Sequence, residues 1–143
     1  KESGYKSTSG YTILLNDNPI LSVSRTQKAT AQSTCESELY AAGIATLDII
    51  WVRRLLQELV PAKLPPTRLY CDNQAVVDNV NNDKNSKGLK HVMLKLRLLR
   101  DHQNKHVVVT KIPSKENIAD IFTKPLHRGP YEYLRGKLLK VAA

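Results

Sequence analysis

Acidic residues are scarce in this chain. Thirteen Asp and Glu stand against 22 Lys and Arg over 143 residues, leaving a formal charge of +9 and a pI near 9.7. That deficit argues against a cationic partner and favours a polyanion, of which nucleic acid is the commonest. Cysteine is scarcer still. Cys35 and Cys71 are the only two, and neither sits in a CxxC or zinc-ligand spacing. A thiolate metal site is therefore not indicated, and both are expected to be reduced, as in an intracellular protein. No apolar run approaches the ~18–20 residues of a membrane span, and nothing reads as a signal peptide, so no membrane partner is expected. The chain starts with Lys1 rather than Met, and is expected to be a processed product or a piece of something longer.

What is present suits one globular domain. A chain of this length buries about 68–70% of its unfolded surface, and its 41% apolar content needs no staples. The positive surplus is clustered. Between Lys84 and Lys111 stand Lys84, Lys87, Lys90, Lys95, Arg97, Arg100, Lys105 and Lys111 against Asp101 alone, so this window carries +7 of the +9. Clustering favours a phosphate-binding face over general solubility.

Patterning gives an α/β order. Thr8–Leu15 and Ile20–Ser24 read as an antiparallel strand pair across the turn residues Asn16–Pro19. Ser33 and Glu36 have capping-box spacing. The helix they open carries Tyr40, Ile44, Leu47, Trp51, Leu55 and Leu59 at three- and four-residue steps, an expected core stripe, and stops before Pro61. Arg68–Cys71 reads as a strand, Ala75–Val80 as a short helix and Asn81–Gly88 as a loop. His91–His102 reads as a helix with Val92, Leu94, Leu96, Leu98 and Leu99 inward and the basic residues outward. His106–Ile112 is a Val-rich strand. A helix capped by Ser114–Asn117 is expected to run to Pro125, and a last one to start near Pro130 with Tyr131, Leu134 and Leu138 on one side.

Three carboxylates fall at element ends. Glu38 lies early in the long helix, Asp72 closes a strand and Asp120 follows the last strand. In open α/β sheets, sites form outside the carboxyl ends of strands. Taken one at a time, Asp72 or Asn73 could simply cap a helix, and Glu38 and Asp120 could simply favour a helix dipole. Taken together beside a basic face, their hard oxygens suit Mg²⁺, which keeps waters and accepts substrate phosphates. Two such ions about 3.5–4 Å apart can activate a water and stabilise the departing oxygen of a phosphodiester.

Five segments then resemble one family in order and in register. Gly4–Tyr11 resembles the "KSTSGY" opening of copia-type retrotransposon ribonuclease H domains. Ser33–Tyr40 is similar to their "SSTEAEY" helix start, Cys71–Gln74 to "CDN", and Lys90–Val92 to "KHI". Asn117–Leu126 is almost letter for letter "NIADIFTKPL". The resemblance implies a ribonuclease H-like mixed sheet flanked by helices over residues 1–126, followed by a basic C-terminal helix over 127–143. It implies hydrolysis of the RNA strand of RNA–DNA hybrids, with two Mg²⁺ ions or Mn²⁺ in their place. Glu38, Asp72 and Asp120 would then be catalytic metal ligands, and Lys84, Lys87, Lys90, Lys95, Arg97, Lys115 and Lys124 would contact nucleic acid.

One part of the family pattern is missing. Its first acidic residue lies on a strand upstream of "KSTSGY", and nothing here matches it; Glu2 and Asp17 are the nearest acids. That strand is the middle one of the family's sheet, so its loss leaves two unpaired strand edges. The gap would be filled by an upstream reverse transcriptase segment, by Lys1–Ser7, or by a second copy through dimerisation or strand swapping. The rival expectation is a catalytically silent remnant, a basic nucleic-acid-binding or interaction module. A DNA-strand-transfer enzyme would place different neighbours around its acids. The expected setting is the cytoplasmic retrotransposon particle, with the nucleus as the alternative.

Overall fold

The computed structural model describes residues 6–27, 33–82 and 93–140. Its elements run β1 (Thr8–Leu15), β2 (Asn18–Thr26), α1 (Thr34–Leu59), β3 (Thr67–Cys71), α2 (Gln74–Asn81), α3 (Met93–His102), β4 (Val107–Lys111) and α4 (Arg128–Leu139). Two 3-10 turns, Ser114–Glu116 and Ile118–Phe122, lie between β4 and α4. This is a mixed α/β architecture. None of its described helices is long and apolar enough to cross a membrane.

The strands form two separate pairs. β1 and β2 are antiparallel, joined by Asn16 and Asp17, both at positive φ as a two-residue hairpin turn with the sheet's twist demands. The register shifts between Ile13 and Leu14, where Pro19 enters the ladder, so β2 is bulged and longer than expected at both ends. β3 and β4 are parallel, Thr67 opposite Val107 through Cys71 opposite Lys111. Among the described residues, no ladder joins one pair to the other. Between them runs a groove of about 410 Å³, lined by Gly10–Leu14 of β1, Thr67–Cys71 of β3 and Ala41, Ala42, Ala45 and Ile49 of α1. No residue of β2 or β4 lines it. It therefore follows the edges of β1 and β3 that their partners leave open.

α1 packs against both pairs, and not by the expected face. Leu39, Ala42, Ala45, Ile49 and Val52 are buried, with Val76, Val77, Val80, Leu96, Leu99, Val107 and Val109 around them. Trp51 is 63% exposed, and Leu47, Leu55 and Leu59 are exposed as well. Two apolar stripes lie one residue apart on this helix, and periodicity cannot rank them. The small residues win because they let neighbours come close: a Cβ on Gly43 would stand 2.8 Å from the Cβ of Lys95 on α3. Tyr11, buried in β1, donates from its hydroxyl to Asp48 at 2.5 Å and fixes the strand to the helix.

Three further expectations are corrected. The segment after Ser114 is two 3-10 turns, not a helix running to Pro125. The Asn117 side chain accepts from Ala119 N and restarts the chain in a new direction, which breaks the run after one turn. Leu94, expected inward, is 84% exposed, while Leu96 and Leu99 are fully buried. Tyr131 is exposed on α4, which buries Leu134 and Leu138 instead. Glu116 accepts from Tyr133 and pairs with Lys137, tying α4 to the first 3-10 turn.

The assigned face of α1 predicts unequal costs. Leu39→Ala should destabilise by about 2–5 kcal/mol, and Trp51→Ala by about 1 kcal/mol or less. Urea unfolding of the two variants checks this; a larger loss from Trp51→Ala would mean that the other face is the buried one.

Candidate metal centre

β3 delivers Asp72 to the end of the groove. Asn73 follows and caps α2, its side-chain oxygen accepting from Ala75 N at 2.9 Å. The capping role thus falls to Asn73 rather than to Asp72. On the facing element, Ser33 caps α1 by accepting from Glu36 N at 3.2 Å, which sets the helix phase. Gln27 at the end of β2 donates to Ser9 Oγ and to the Ser37 carbonyl and hydroxyl, locking that first turn onto the hairpin. Glu38 is the next residue and lines the groove beside Asp72.

The result is a tight group. One ligand atom each from Glu38, Cys71 and Asp72 lies within 4.8 Å of the others. Cys71 Sγ stands 3.9 Å from Glu38 Oε2. The Glu38 carboxyl is held above its ordinary range, first by burial and then by repulsion from Asp72, against hydrogen bonds from Asn73 and Cys71 and the charge of Lys111. Burial pushes the Cys71 thiol up to about 11, so near neutral pH it is protonated in the metal-free site. The Lys111 ammonium donates to the Asp72 carbonyl oxygen. Two hard carboxylates that repel each other beside a protonated thiol fit a hard divalent cation better than a soft one.

The remaining sequence-nominated residues are dispersed. Asp120 is outside the Glu38–Asp72 group; it pairs with Lys124 at 2.6 Å and lies 3.4 Å from the Asn117 amide nitrogen. Its neighbours Asn117, Ile118 and Ala119 do line the groove. Lys95 packs its stem on Gly43 and its ammonium 5.7 Å from the Tyr40 ring. Arg97 and Lys115 are exposed. Lys84, Lys87 and Lys90 lie outside the described residues. Sequence reasoning did not single out Asn73 and Lys111 as neighbours of the acids. Their signal was weak but present: Asn73 adjoins Asp72, and Lys111 ends the Val-rich strand that pairs with it.

No family model matches the chain, and no solved structure does. It is 33% identical over 128 residues to the retrovirus-related Pol polyprotein from transposon TNT 1-94 of Nicotiana tabacum, covering 89% of this chain and 10% of that protein. It is 28% identical over 135 residues to the corresponding polyprotein from transposon RE1 of Arabidopsis thaliana, covering 94% and 9%. The transposon Ty1-DR5 Gag-Pol polyprotein of Saccharomyces cerevisiae is 31% identical over 136 residues, covering 93% and 8%. Homologues of this chain are retrotransposon Pol polyproteins. The chain spans about a tenth or less of their length.

The acid pair has a signature in stability. Folded Glu38 keeps its proton to higher pH than the unfolded side chain, so its ionisation above its ordinary 4.5 lowers stability as pH rises through the folded value. Glu38→Gln removes that loss. The variant's melting temperature relative to the parent should therefore climb between pH 4.5 and pH 8, and millimolar Mg²⁺ should shrink the gap by stabilising only the parent. A pH-independent difference would show that neither burial nor Asp72 raises the Glu38 carboxyl in the folded state.

Proposed function

We propose that this chain is the ribonuclease H-like segment of a retrotransposon Pol polyprotein, hydrolysing the RNA strand of RNA–DNA hybrids. The observation that carries the reading is the meeting of Glu38 and Asp72 at the end of β3 beside an open strand groove. These carboxylates would hold Mg²⁺, or Mn²⁺ in its place. The ion would polarise the scissile phosphate and lower the pKa of a water. The chain's own residues prepare that site. Asn73 and Lys111 steady the acid pair. Asp120 would join after releasing Lys124, whose ammonium is then free for a phosphate.

The missing first acid of the family pattern would arrive on a strand in the groove, antiparallel to β1 and parallel to β3. The upstream reverse transcriptase segment is the favoured source, and a strand swapped from a second copy is the alternative. A second reading, a catalytically silent module that only binds nucleic acid, draws support from Asp120, whose carboxylate is held by Lys124.

The test is cleavage of an end-labelled RNA–DNA hybrid by the chain joined to its upstream segment. RNA-strand cleavage dependent on Mg²⁺ is expected, with Asp72→Asn lowering it by about 10²–10³-fold. Hybrid binding without cleavage would leave the silent module as the function.

A further inference from the structure

The other end of β3 carries the opposite charge. Arg53 and Arg54 from the last turns of α1, Lys63 from the loop before β3, His102 from the end of α3, and Lys105 and His106 from the turn before β4 line one pocket of about 270 Å³. That is several times the ~30 Å³ a water occupies in the liquid. Ile50, Gln57 and Leu64 complete the lining, and no carboxylate contributes to it among the described residues. Thr67 N donates to the His106 carbonyl at 2.8 Å, which sets the pocket at the start of β3, about 15 Å from Asp72 by strand rise.

Like charges held together need a reason or a counter-ion. Arg53 is fixed in place: its guanidinium donates to the Leu64 and Pro65 carbonyls and to Thr67 Oγ1. Its Nε is buried and has no hydrogen-bond partner. Burial alone lowers the pKa of this side chain, with no carboxylate acting on it. The two imidazoles face each other, Nδ1 to Nδ1 at 3.1 Å, so one donates and the other accepts, and one of them is neutral. The His106 ring is held below its ordinary pKa by burial and then by His102, Arg53, Lys105 and Arg54. An anion in the pocket would offset the repulsion among these cations and offer an acceptor to Arg53 Nε, and a tetrahedral oxyanion can accept from several donors at once.

We propose that this pocket binds a phosphate group, and that the phosphate is one of a nucleic-acid backbone anchored a strand length away from Glu38 and Asp72. Phosphate binding stands on the pocket alone; the choice of nucleic acid as its source rests on the proposed function.

The experiment follows the imidazole resonances of His102 and His106 by NMR as the 143-residue chain is titrated first with inorganic phosphate, then with a short RNA–DNA hybrid. Both titrations should give saturable shifts. Lys63→Ala with Lys105→Ala, at exposed positions, should weaken phosphate binding about tenfold or more. The pair Lys63→Arg with Lys105→Arg should retain it, which separates lost charge from lost folding. The alanine pair should also reduce the salt slope of hybrid binding by about 1–2. An absence of saturable shifts with phosphate, or equal affinity in parent and alanine pair, overturns the site. Phosphate binding with an unchanged hybrid salt slope overturns the backbone as source and leaves free phosphate as the ligand. Asp72→Asn should titrate like the parent, so failure here and failure of the hydrolase reading are told apart.

Discussion

A helix face, rather than a hydrogen-bonded ladder, joins the two halves of this molecule. Two-stranded sheets are marginal by themselves, and β1–β2 and β3–β4 share no ladder among the described residues. α1 touches both, and the 3-10 segment after β4 reaches back to β1. Close approach is what makes this work. The Ala42, Ala45 and Ile49 stripe lies against the strands, and Gly10 admits Thr123, where a Cβ would stand 2.6 Å from its Cγ2. The Ser24 hydroxyl donates to the Phe122 carbonyl at 2.7 Å across the same contact. The groove follows from this arrangement: helix and turn hold the two strand pairs apart, and among the described residues no strand lies between them.

Much of that plan was legible in the sequence because it is written locally. Asn16-Asp17 announces the hairpin, Ser33 the start of α1, and Pro65-Pro66 and Asp72-Asn73 the limits of β3. What was not legible depends on partners. Trp51 and Leu39 both repeat at helical spacing, and only the strands decide which of them is covered. Leu94 and Leu96 are equally apolar, and the choice between them is made by the phase of α3 against α1. The 3-10 turns around Asn117 could not be told from a helix, since capping residues and apolar spacing suit either until Asn117 commits its side chain to Ala119.

The candidate site was legible in the same uneven way. Glu38 and Asp72 meet because two caps, Ser33 and Asn73, set the phases of α1 and α2 on either side of them. Asp120 depends on the 3-10 turns, the part that local pattern described least well, and it is the acid that lies apart with a cation on it. A site assembled from two well-positioned carboxylates and one occupied elsewhere has a natural trigger. Under the proposed function, a phosphate would draw Lys124 away, and the freed Asp120 would turn toward a cation held by the other two.

The two ends of β3 therefore differ in sign. Repelling carboxylates close one end, and repelling cations surround the other, with a five-residue strand between them. Each cluster holds like charges side by side: Glu38 and Asp72 repel at one end, and at the other the neighbouring cations hold the His106 imidazole down. A strand is a rigid spacer, so neither cluster can relax by moving toward the other. Under the proposed function, a polyanion accompanied by divalent cations would relieve both at once: its phosphates would neutralise one end, and its counter-ions the other. The charge pattern is thus more selective than the net +9. A basic surface would accept any polyanion, whereas a fixed interval between an acid pair and a cation pocket favours one stiff enough to span it.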